Sequence, residues 1–292
     1  MRQSKQQLQV AGFIPGQDDT TGHENPVVFF LFRGATITER PKKMKTQNTP
    51  DPASGTSGAK ITDNTNKTGE CAYCGDVGII TRDHVPPKGI FPKPRPENLI
   101  TVPACRKCHS QQTSRDDEYF RNTLNVREDL SQHPGVLKVQ PVVLRSFSNP
   151  NKSGMLGEFL KSIRLIEQVT PAGIIIKSKL GFEADMVRIR RVVQRIVIGL
   201  FWNHRQHRIP AGYDALIFNE ESLQEWPADV LDYVTKTILQ PLLATNVQTR
   251  GNGVFSYRFA YHPADPDSTW WILDFYERAR FLRQTVPPVK NI

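Results

Sequence analysis

Two short cysteine pairs, Cys71-Ala72-Tyr73-Cys74 and Cys105-Arg106-Lys107-Cys108, constrain this 292-residue chain more than any other feature. They hold its only four cysteines, with identical spacing and none left over. Two C-x2-C pairs separated by 30 residues read as a four-thiolate zinc site rather than as disulfides in a reducing compartment. Four thiolates complete the coordination shell, so Zn2+ held there is a structural staple with no open position for substrate. A module this small has too little core to fold without one. Catalytic chemistry in this region must therefore use other side chains.

Between the pairs, "VGIITRDHVPP" reads as a strand that leaves the first knuckle and stops at Pro86 and Pro87. "ENLITVPAC" reads as a returning strand, and "CRKCHSQQ" as the opening of a helix. Successive strand residues point to opposite faces, so Asp83 and His84 can perform different tasks at one place: one binds metal, the other handles a proton. On a helix begun at the second pair, Cys108 and His109 diverge by about 100°. Cys108 then faces the zinc, and His109 faces a second ion shared with Asp83. One carboxylate and one imidazole, with water and substrate oxygens in the remaining positions, suit a Mg2+ that meets a phosphate.

The surroundings agree with a polyanionic partner. The chain carries a formal charge of +9, which attracts nucleic acid or an anionic surface. Lys88, Lys93, Arg95, Arg106 and Lys107 flank the Asp-His pair and are candidates for contacts to a nucleic-acid backbone. The longest early apolar run, Val27 to Phe32, is too short for a membrane span or a signal-peptide core. A cytoplasmic protein without membrane association is expected.

Asp83-His84, then Asn98, then His109 directly after the second cysteine pair resembles the HNH endonucleases of the ββα-metal class, in their four-cysteine zinc variant. The resemblance covers about residues 71 to 120. It implies an enzyme that hydrolyses phosphodiester bonds in DNA. His84 matches the general base that activates water, Asp83 and His109 match the ligands of a catalytic Mg2+ or Mn2+, and Asn98 matches the central Asn that braces the loop. Where many relatives carry a Gly-Gly turn, this chain has Pro86, Pro87, Pro92, Pro94 and Pro96, which stiffen the backbone. A catalytically inactive zinc-bound module for nucleic-acid binding or interaction is the alternative.

The rest of the chain divides around this module. Residues 1–69 read as a disordered arm or linker, dominated from Lys45 to Lys67 by small polar residues, with Met44 an alternative start. The HNH module is assigned to 70–130 and an α+β domain of unknown role to 135–292. There "GEFLKSIRLIEQV" and "GIIIKSKL" read as strands joined around Thr170 to Gly173, and 184–205 as a long helix. Arg188, Arg191 and Arg195 read as its solvated face, and Asp116, Asp117 and Glu118 as another. "GVFSYRFAYHP" alternates as a strand paired with "STWWILDFYERARFL". The expected fold is α+β: a small zinc-stapled ββα-metal module followed by a mixed domain with antiparallel sheet. The second domain is the candidate for recruiting substrate, a protein partner or a second copy.

Overall fold

The computed structural model describes residues 28–30, 67–149, 153–169, 175–218 and 227–287. Most of the expected arm at 1–69 and the turn at 170–173 lie outside the described residues. The cysteine region forms an antiparallel sheet of β2 (Thr68–Glu70), β3 (Val77–Val85) and β4 (Ile100–Cys105), with β3 in the middle. β3 ends at Val85, because Pro86 and Pro87 have no N–H to donate to the ladder. Along β4 the residues Ile100, Val102 and Ala104 are buried and alternate with partly exposed neighbours. They form a core with Tyr119, Phe120 and Leu124 of α1 (Gln111–Val126).

The helix starts later than the sequence pattern indicated. His109 N donates to Cys105 O at 2.9 Å, closing a turn, and Ser110 caps α1 by accepting from Thr113 N at 3.5 Å. Cys108 and His109 therefore sit in the turn before the helix. Their divergence comes from turn geometry, not from the helical rotation assumed above.

Beyond α1 come α2 (Pro134–Phe147), α3 (Ser153–Lys161), β5 (Ile163–Val169), β6 (Ile175–Glu183) and α4 (Met186–Arg205). The segment "GEFLK" belongs to α3 and only "IRLIEQV" is strand. β6 pairs with β5 on one side and with β1 (Val28–Phe30) on the other. A five-stranded antiparallel sheet, in the order β7-β11-β10-β9-β8, completes the chain. Its strands are β7 (Asp214–Phe218), β8 (Gln248–Arg250), β9 (Phe255–His262), β10 (Asp265–Phe275) and β11 (Ala279–Val286). Between β7 and β8 lie α5 (Ala228–Val234), a π-helical turn Thr235–Leu239 and α6 (Gln240–Ala244). The protein is thus mixed α/β with antiparallel sheets. "STWWILDFYERARFL" is two strands rather than one, turning at Tyr276 and Glu277, whose φ values are 52° and 61°. No Gly, Pro or Asn marks that turn in the sequence. Among the described residues, no helix is long and apolar enough to cross a membrane.

α4 is the axis of one continuous core. Ile189, Val193, Ile196, Val197 and Leu200 are buried, as the helical period requires. One core cluster joins them to Ala72, Val85 and Val102 of the cysteine region and to Tyr257, Trp271, Leu273 and Phe275 of the large sheet. The core therefore does not break at the boundary expected near residues 130–135. On the other sheet face, Ile272 and Leu282 pack with Leu242 of α6. Gly199 lets α4 approach β3 closely, since a Cβ there would stand 2.5 Å from Val85 Cγ2. Val85 is β-branched and 2% exposed, so it has little room to yield. Gly199→Ala is expected to destabilise the fold by about 1–3 kcal/mol through overpacking, read as a fall in Tm.

The two charged faces expected to be solvated instead meet each other. Asp116 on α1 is 2% exposed. Arg191 holds it in a fork, Nε to Oδ2 at 2.8 Å and Nη2 to Oδ1 at 3.1 Å. Arg188 Nε lies 3.8 Å from the same carboxylate, and Arg195 pairs with Asp117. Glu118 accepts from Ser146 at 2.5 Å. Charge patterning shows which face of each helix is polar, but it does not show that α1 and α4 pack side by side.

Candidate functional site

The four cysteines converge. One sulfur from each lies within 4.8 Å of the others, and Cys74 Sγ is 3.7 Å from Cys105 Sγ. Two thiolates on a tetrahedral Zn2+, with Zn–S about 2.3 Å, are about 3.8 Å apart, whereas a disulfide requires about 2.05 Å. Cys71 is fully buried and its sulfur accepts from Cys105 N at 3.3 Å. Burial pushes the Cys108 thiol well above the ordinary range, while the Cys108 backbone N–H and neighbouring donors bring Cys105 down to about 7. Crowding of this kind is relieved by a dication, so the cluster could hold a metal such as zinc.

Register then places the next residues. On β3, Asp83 is opposite Val102 and His84 opposite Thr101. Asp83 is buried, and its two oxygens have different neighbours. Oδ2 accepts from the Tyr73 hydroxyl at 2.7 Å and lies 3.5 Å from Arg195 Nε, while Oδ1 is 3.9 Å from His109 Nε2. Burial, and then the Asp83 charge, raise the Tyr73 pKa far above its usual value, so the phenol remains a donor. Burial raises Asp117 to about 6, and its Arg195 partner opposes that rise.

Thr81 positions the His109 ring. The Thr81 hydroxyl donates to Ala104 O at 3.2 Å and lies 3.2 Å from His109 Nδ1. The ring turns Nε2 towards Asp83 Oδ1. In an octahedron of about 2.1 Å bonds, adjacent ligands stand about 3 Å apart and opposite ones about 4.2 Å. The observed 3.9 Å matches neither spacing, so the pair would have to close by about 0.9 Å to chelate one ion as adjacent ligands.

His84 is half-buried beside this pair. Burial first, and then the Lys88 cation, lower its pKa, while Asp83 opposes them. The ring therefore favours its neutral, proton-accepting form. Asn98 is exposed in the turn that precedes β4. Lys88, Lys93, Arg95, Arg106 and Lys107 are all exposed, and Arg95 Nε donates to Lys88 O at 3.1 Å. The structure thus brings Asp83, His84 and His109 together next to the cysteine cluster, and puts Asn98 on the loop returning to β4.

The C-terminal half contributes parts that no local motif signals. Arg195 of α4 reaches Asp83, and Tyr276 donates to Ile90 O at 2.7 Å in the short turn after His84. Tyr73, inside the first cysteine pair, is the one partner of Asp83 that its position could have suggested. Compared with family models, curated proteins and solved structures, the chain matches none.

Proposed function

We propose that this protein is a metal-dependent endonuclease of the HNH type, hydrolysing phosphodiester bonds in DNA with His84 as general base. The observation that carries this reading is the placement of Asp83 Oδ1 and His109 Nε2, 3.9 Å apart, beside a half-buried imidazole. Asp83 and His109 would hold a Mg2+ or Mn2+, and Cys71, Cys74, Cys105 and Cys108 a structural Zn2+. A divalent ion held there supplies charge neutralisation for the phosphoryl and leaving oxygens.

The chain's own groups perform the rest. His84 accepts a proton from water as the water oxygen forms its bond to phosphorus. The bond to the leaving sugar oxygen breaks, and that oxygen takes a proton from solvent. Tyr73 and Arg195 hold Oδ2 of Asp83, which turns Oδ1 towards His109. Thr81 fixes the His109 ring by the same outer-layer logic that orients metal-binding histidines elsewhere. Exposed Lys88, Lys93, Arg95, Arg106 and Lys107 would meet phosphates flanking the cut.

Purified protein is expected to convert supercoiled plasmid to nicked and linear forms in Mg2+ or Mn2+, and to stop when those ions are omitted with the zinc left in place. Binding without nicking in either ion would favour the inactive nucleic-acid-binding module instead.

A further inference from the structure

We propose that the groove beside this site binds a single nucleic-acid strand through its phosphates, and that residues outside the 71–120 segment form one of its two walls. The nuclease reading identifies the polyanion, and the inference rests on it in that respect. The groove encloses about 610 Å3, within the roughly 300–1,000 Å3 usual for ligand clefts. One wall is the proline-rich loop, with Lys93, Arg95 and Asn98. The other is Lys138 of α2 together with the turn after β8 at Gly251 and Asn252. Three exposed cations on two facing walls stand against the single carboxylate of Glu97. Among the described residues no aromatic side chain lines the groove. Bases have nothing to stack on there, so recognition falls on the sugar-phosphate backbone and is independent of sequence.

The packing holds these walls together. Gly251 has φ +67°, and a Cβ on it would stand 2.6 Å from Phe91 Cδ1 and 3.2 Å from Pro96 Cγ. The turn after β8 is therefore seated directly on the proline-rich loop, at a contact that only glycine permits. Phe91 is itself buried. At the other end Arg95 bonds to the Lys88 carbonyl, and both cations act electrostatically on His84. Asn98 lines the groove and Arg95 acts electrostatically on His84, so a strand lying in it passes near the candidate catalytic residues.

The test is fluorescence anisotropy of the full-length chain without added Mg2+, on a labelled oligonucleotide that is single-stranded in one arm and duplex in the other. Lys138→Glu is expected to weaken single-strand binding about tenfold at moderate salt, and to flatten the slope of log K against log salt by at least about 0.7. Lys138→Arg should restore both. Lys236→Glu changes the net charge equally, but on the helical segment over the other sheet face, and should leave affinity unchanged. Wild-type affinity and slope in Lys138→Glu, or a loss no larger than that of Lys236→Glu, would overturn the groove. A loss confined to the duplex arm would overturn the single-strand assignment. Lys138 is exposed; if Lys138→Glu nevertheless lowers Tm, Lys138→Ala makes the same comparison with the same reversing result. Failure of the nuclease reading shows separately, as cutting that is absent or independent of His84.

Discussion

His84→Ala is expected to reduce Mg2+-dependent plasmid nicking by about 10²- to 10⁴-fold, the range that a positioned general base contributes. The same variant should keep its bound zinc and a Tm close to that of the parent. His84 is half-buried beside the cleft, whereas its neighbour Val85 is the residue packed against α4. Deleting the imidazole therefore removes a proton acceptor without opening the core, and changes of that kind usually fall within about 0.5 kcal/mol. Rates of nicking, zinc content and thermal melts on the same preparation make the comparison. Undiminished cutting by His84→Ala would rule out its role as base.

Cys71→Ser should behave in the opposite way, losing zinc and a large part of its stability together. Apparent binding energies of structural Zn2+ in small finger peptides are about 10–16 kcal/mol, and they contribute directly to folding. Here the loss is tempered because Ala72 and Val102 share a core with α4 and the large sheet. The expected result is a Tm lowered by many degrees and loosening confined first to the two cysteine turns. His109 directly follows Cys108, and its N–H is bonded to Cys105 O, so loosening there also displaces it from Asp83. Cutting is then lost as a consequence of misplacement. Zinc content by a chromogenic chelator after denaturation, and hydrogen exchange across 71–76 and 105–110, read this directly. A Cys71→Ser protein with full zinc and an unshifted Tm would refute the staple.

The contrast between these variants separates two kinds of dependence at one location. On the proposed mechanism His84 is needed for proton transfer and contributes little to the fold. Cys71 is fully buried and acts only through the fold. Arg195 lies between these cases, since it ties α4 both to Asp117 and to the carboxylate that faces His109. It shows how a helix more than a hundred residues downstream can bear on the geometry of the candidate site.

Much of this was legible from residue order because it is local. Cysteine spacing predicted the cluster, prolines the end of β3, and apolar periodicity the buried face of α4. Each of these depends on backbone geometry over a few residues, which the chain encodes directly. The start of α1 was misjudged by three residues, because a serine cap outweighed the helical pattern around Cys108. The turn at Tyr276 carried no turn signal, since its positive φ values are supported by long-range partners at Val254 and Ile90.

Residue types and spacing thus established which side chains could bind zinc, and they suggested the second-ion ligands and the proton acceptor on which the proposed function rests. The packing of α4 against α1 and β3 established that arginines read as solvated would clamp Asp116 and Asp117 and reach Asp83. It also set the turn at Gly251 against the proline-rich loop, making a groove from parts far apart in the chain. The physical reason is the range of the forces involved. Spacing and capping act within a turn or two of backbone, whereas burial and ion pairing depend on which surfaces meet, and only the folded core determines that.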